Sequence, residues 1–124
     1  MATRLASPSS SPFPHSLRQQ HADTLHRLHA NGAKPLVLVN AWDAASARLL
    51  ERAGSSVIAT TSAGMAWSLG HADGEQLPGD ELVAACARIC RVAGGRLPVS
   101  VDIERGYGRD ADEVCALVRT LIGL

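Results

Sequence analysis

The sequence predicts an α/β fold assembled from parallel strand–helix units, and three observations carry that prediction. Short continuous apolar runs recur at 36–40 (LVLVN), 56–61 (SVIATT) and 97–104 (LPVSVDIE), as expected of strands buried on both faces of a parallel sheet. Each run is followed by a stretch with helical spacing, at 43–54, 79–95 and 110–124, and strands alternating with helices are the pattern of βα units. Polar residues and one tryptophan gather where each apolar run ends: Asn40, Trp42 and Asp43, then Thr61 and Ser62, then Asp102 and Glu104. In parallel α/β folds those carboxyl ends of the strands line the binding site.

Taken in order, the chain opens on MATRLASPSSSPFPH, residues 1–15, rich in serine and proline and without periodicity. It reads as a disordered leader ahead of a folded domain over 16–124. From Ser16 to about Ala30 a polar helix is expected, with Leu17, Leu25 and Leu28 marking one face. His15, His21, His26 and His29 fall here, but Asp23 is the one carboxylate among them, and solvated helix histidines are far commoner than metal sites. The NGAKP segment breaks the helix before the first strand. Asp43 and Gly54 then suit the start and stop of the next helix. After the second strand a glycine-containing loop is expected to lead to the helix that Asp80 opens. Asp110 precedes the last helix.

Composition excludes several classes of function. In 124 residues, twelve basic side chains balance twelve acidic ones, so no basic field points to nucleic acid. No apolar run approaches the ~20 residues of a membrane span, and no apolar segment near the N-terminus resembles a secretory signal. Cys86, Cys90 and Cys115 are odd in number and lack CxxC spacing. Small buried thiols in a reducing, cytoplasmic setting describe them better than a metal site does.

The segment VSVDIERGYG, residues 99–108, poses the functional question. Two carboxylates, Asp102 and Glu104, stand two apart where an apolar strand runs out, so strand alternation points both to one side. Oxygen-only ligands of that kind suit Mg²⁺ or Mn²⁺ over zinc. A solvated acidic strand end has the same spacing, and spacing alone leaves both readings open. Gly106 and Gly108 allow the tight turn that follows, with Tyr107 packing over it. Asp43 and Ser46 read as helix-start residues, and Trp42 and Trp67 either wall a pocket or pack within the fold.

Three ordered segments, LVLVNAWDAASARLLERAG, TTSAGMAWSLGHADGE and VSVDIERGYG, resemble the isocitrate lyase/phosphoenolpyruvate mutase superfamily, and most of all its small methylisocitrate lyase and phosphonomutase-like members. The likeness runs over roughly 20–124. It implies the N-terminal part of a (β/α)₈ barrel, about three βα units plus a leading helix, in a family whose members are about twice this length. By motif, Asp102 resembles the direct metal ligand and Glu104 the second acid of the metal shell. Asp73 resembles the catalytic acid near the metal, and Thr61, Ser62 and Ala63 the stretch that cradles the substrate carboxylate, with Trp42 beside it. The resemblance implies a small α-oxo or 2-hydroxy carboxylic acid as substrate, Mg²⁺ (or Mn²⁺) as cofactor and homo-oligomers among full-length relatives. The fourth-strand glutamate and the mobile acid/base loop of the family have no counterpart here. The expectation is therefore a fragment inactive alone, or else a non-catalytic half-barrel that binds a partner or itself.

Overall fold

The computed structural model describes residues 13–32, 34–93 and 95–124. Residues 1–12, most of the expected leader, lie outside them. The elements run α1 (His15–Ala30), β1 (Val39–Ala41), α2 (Ala44–Arg52), β2 (Ile58–Thr60), α3 (Ser62–Ser68), α4 (Gly79–Ala93), β3 (Val99–Ser100) and α5 (Ala111–Ile122). His15, placed in the leader by composition, opens α1, because Pro14 enters at φ −58° and its carbonyl accepts from the N–H of Leu17 at 3.0 Å.

The three strands form one parallel sheet in the order β1-β2-β3. Val39 pairs with Ile58 and Ala41 with Thr60, while Ile58 and Ala59 pair with Val99 and Ser100. The central strand is buried at all three positions, which is why its sequence reads as an unbroken apolar run. The strands are shorter than the runs that encode them, since pairing needs a neighbour alongside. Val37, upstream of the β1–β2 ladder, is 74% exposed. Beyond Ser100, the Asp102 N–H bonds to the side chain of Thr60, and the Gly106 N–H closes a turn onto Ile103.

Helix starts follow their caps. Asp43 accepts the N–H of Ser46 at 2.7 Å while the Ser46 hydroxyl accepts the N–H of Asp43 at 3.1 Å, a reciprocal capping box that opens α2. Asp110 accepts the N–H of Glu113 at 2.9 Å at the start of α5. Gly54 (φ +89°) ends the α2 segment in the left-handed region. The expected loop after β2 needs correction, because residues 62–68 form the short helix α3. Thr61 caps it by accepting from the N–H of Gly64, and Met65 and Ala66 are buried beneath it. Seven residues are too few for the periodicity that reveals longer helices.

α2 packs on α4, and Ile58, Met65, Leu77, Leu82, Cys86 and Ile89 make the fully buried core between sheet and helices. Cys86 takes the role of a small apolar residue there, and burial pushes its thiol pKa up to about 12. Cys115 does not follow suit: it is exposed on α5, which has no fully buried position. Glu51 ties α2 to the approach to β3, accepting from Arg96 and from Arg48. Those two guanidinium hydrogen bonds hold its carboxyl down to about 2.

Two outcomes follow from this packing. Ile58→Ala should cost about 2–5 kcal/mol in urea-induced unfolding, the range for emptying a buried aliphatic site. Glu51 has a folded-state pKa below the ordinary ~4.3, so its contribution is present above that value and is lost as pH falls toward 2. The stability gap between parent and Glu51→Gln should therefore close between pH 5 and pH 2, as read by urea titrations at each pH.

Candidate functional site

Parallel pairing brings the carboxyl ends of all three strands to one side of the sheet, and backbone and side-chain bonds stitch those ends together. The Thr61 N–H donates to the carbonyl of Ala41 at the end of β1 at 3.2 Å. Thr60 at the end of β2 is 4% exposed, and its hydroxyl oxygen accepts the N–H of Asp102 at 2.9 Å. The Asp102 carboxylate in turn accepts the N–H of Ser62 at 3.3 Å and the N–H of Glu104 at 3.0 Å. Partial burial pushes its pKa up, but the N–H groups of Glu104 and Ser62 outweigh that and hold the carboxyl below its ordinary value. Asp102 is thus an ionised carboxylate at the mouth of the sheet.

Glu104 is reached differently from the way alternation suggests. It lies past the strand in a turn with φ +49°, so it does not share a strand face with Asp102. Its Oε1 accepts the N–H of Glu75 at 3.1 Å and the hydroxyl of Tyr107 at 3.0 Å. Glu75, from the loop between α3 and α4, accepts the N–H groups of Arg105 at 2.9 Å and Tyr107 at 3.1 Å and pairs with the Arg105 guanidinium at 3.2 Å. The Tyr107 N–H, with those of Arg105 and its charge, holds the Glu75 carboxyl below its usual range despite some burial. Burial and the bond to Glu104 push the Tyr107 hydroxyl pKa well up. Glu75, Glu104 and Tyr107 are the non-glycine residues with positive φ among the described residues, each a conformation that costs about 1–3 kcal/mol.

The remaining sequence-based candidates are placed as follows. Asp73 is exposed in the same loop as Glu75, with its carboxylate on the N–H of Gly74 at 2.9 Å. Ser62 and Ala63 open α3 beside Asp102, whereas the N–H of Thr61 is spent on β1. Trp42 is 47% exposed and borders Gly64, where an added Cβ would meet the Trp42 Cβ at 3.0 Å. Trp67 is 68% exposed, so neither indole packs in the core. Among the described residues no three His, Cys, Asp or Glu side chains group closely enough to surround one ion. Sequence reasoning missed Glu75 and Thr60. Thr60 has the signal of a hydroxyl at a buried strand end, while the partners of Glu75 lie 29, 30 and 32 positions away and leave no local trace.

With that geometry in place, likeness to known proteins becomes informative. A family model described as phosphoenolpyruvate phosphomutase matches residues 25–124. Two curated relatives from strains of Mycobacterium tuberculosis, both uncharacterized, are 38% identical over 98 residues, which is 79% of this chain and 36% of each relative. A candidate phosphonomutase from Burkholderia cenocepacia superposes with a TM-score of 0.78 at 37% identity, over 83% of this chain and 41% of that one. A candidate lyase/mutase from the same organism gives 0.71 at 38% identity, over 85% and 36%. The chain spans 36% of the length of those curated relatives, and its parallel βα units match one part of a larger barrel-like fold.

The Thr60 bond can be tested directly. Thr60→Val keeps the shape but leaves the Asp102 N–H without its acceptor, and should cost about 1–3 kcal/mol. Amide hydrogen exchange at Asp102 should accelerate accordingly, and an unchanged rate would remove Thr60 from the site.

Proposed function

The chain belongs to the phosphoenolpyruvate phosphomutase family, and from that premise we propose that it forms the cation-holding part of a lyase or phosphonomutase-like enzyme acting on α-oxo or 2-hydroxy carboxylic acids. The observation that carries this reading is Asp102, a carboxylate kept ionised by two backbone N–H donors at the carboxyl end of a parallel sheet. With Glu104 it offers oxygen donors alone, a set that fits Mg²⁺, or Mn²⁺, over zinc. Asp102 and Glu104 would hold such an ion and leave room on it for substrate oxygens and water. The chemistry it would supply there is positive charge to offset the negative charge on an enolate oxygen formed beside an α-oxo group.

The chain's own residues divide the remaining work. Ser62 and Ala63, next to Asp102, border the space for a substrate carboxylate, and Trp42 supplies an apolar wall on the β1 side. Asp73, exposed on the loop above, is the acid free to approach a bound substrate. Proton transfer falls to another group, because Asp102 is shifted down and Tyr107 up, both away from neutrality, whereas an effective general acid or base titrates near the working pH. On this reading the 124-residue chain by itself binds a divalent cation without turning substrate over. No helix of the described residues is long and apolar enough to cross a membrane.

Titration with Mn²⁺, followed by the electron paramagnetic resonance of the free ion, tests the site. Asp102→Ala should weaken binding by more than about tenfold, and an equal affinity in the variant would end the assignment. A panel of 2-hydroxy and 2-oxo diacids with Mg²⁺ should give no pyruvate-forming turnover with this chain. Self-association without Mn²⁺ binding would favour a non-catalytic half-barrel instead.

A further inference from the structure

We propose that Glu75 is a positioning residue that fixes the carboxylate of Glu104, through a clasp joining the α3–α4 loop to the turn after β3. Its consequence for cation binding rests on the reading above, but the clasp itself does not.

The clasp is reciprocal. One oxygen of Glu75, Oε1, accepts the N–H groups of Arg105 and Tyr107, and Oε2 accepts from the Arg105 guanidinium. In return, the Glu75 N–H and the Tyr107 hydroxyl both donate to Oε1 of Glu104, at 3.1 Å and 3.0 Å. Two donors on one oxygen fix the orientation of the carboxylate and leave Oε2 without a donor among the described residues. That is the arrangement in which an acid presents one free oxygen to a cation.

The backbone carries the same message independently. Glu75, Glu104 and Tyr107 all have positive φ, at 59°, 49° and 55°. An L residue stays in the left-handed region only where its surroundings over-determine it, and here those surroundings are the clasp's own hydrogen bonds. Gly106 between them, at φ +107°, lies so close to α5 that an added Cβ would meet Val114 at 2.9 Å, so the turn cannot relax toward the helix. Releasing Glu75 therefore releases Glu104.

Tyr107 is the single tyrosine of the chain, so the ¹³C resonance of its labelled Cζ reports the bond to Glu104 without further assignment. In Glu75→Ala that resonance should move toward the position of free tyrosine. Exchange at the Arg105 and Tyr107 amides should speed up more than about tenfold, and Mn²⁺ affinity should fall about tenfold. Glu75→Gln keeps an acceptor for the two N–H groups and should restore the resonance and most of the affinity. Should the alanine variant fail to fold, Glu75→Asp replaces it. The charge is retained there, but the side chain is one methylene too short to reach both N–H groups, so the same changes are expected. A folded Glu75→Ala or Glu75→Asp with an unmoved Tyr107 resonance and unchanged amide exchange would overturn the proposal. If the unaltered chain binds no Mn²⁺ while the resonance still moves, the cation reading falls and the positioning role stands.

Discussion

Parallel pairing of the buried strand Ile58–Thr60 with a neighbour on each side is the constraint from which the rest of the structure follows. Parallel neighbours cannot be joined by a tight hairpin, so the chain must return through a helix each time. α2 and α4 make those returns and bury their apolar faces on each other and on the sheet. The same constraint sends every strand out at one end. Ala41, Thr60 and Asp102 therefore lie within hydrogen-bond reach of the residues that follow the neighbouring strand. Topology, before any special chemistry, gathers the polar groups.

At that end the chain departs from regular structure in a directed way. Asp102 exchanges a ladder partner for the hydroxyl of Thr60, and its carboxylate takes two N–H donors. Beyond it, three non-glycine residues hold left-handed backbone within one set of mutual hydrogen bonds. Local strain of this sort persists only when neighbouring structure compensates for it, and it concentrates where side chains must be held for a purpose. By contrast, the capping box at Asp43 and Ser46 is unstrained and starts α2, with the Ser46 hydroxyl also accepting the N–H of Trp42, even though it stands at the same end of the sheet. Proximity to the mouth does not by itself make a residue functional.

Much of this was legible in the residues. The continuous apolar runs fixed three strands, because burial on both faces removes the need for alternation, and Asp43 and Asp110 marked their helices through local hydrogen bonds that span three residues. α3 escaped notice because seven residues, about two turns, carry no usable period, although Thr61 as its cap was a local signal. Asp102 was legible as an acid at a strand end. The route by which Glu104 reaches its place was not, since the strand ends at Ser100 and a turn carries the chain onward.

By itself, the sequence determined the class of fold, the order of its strands and longer helices, the caps of α2 and α5, and the presence of acids where the third strand ends. Each of these depends on residues within a few positions of one another, and local spacing encodes them. Only the tertiary structure decided that Thr60 holds the backbone of Asp102, that Ser62 meets its carboxylate, and that Glu75 rather than Asp73 grips the turn carrying Glu104. Those contacts join segments 29 to 42 positions apart. They form only after the parallel sheet has brought its strand ends together, so no pattern along the chain could have displayed them.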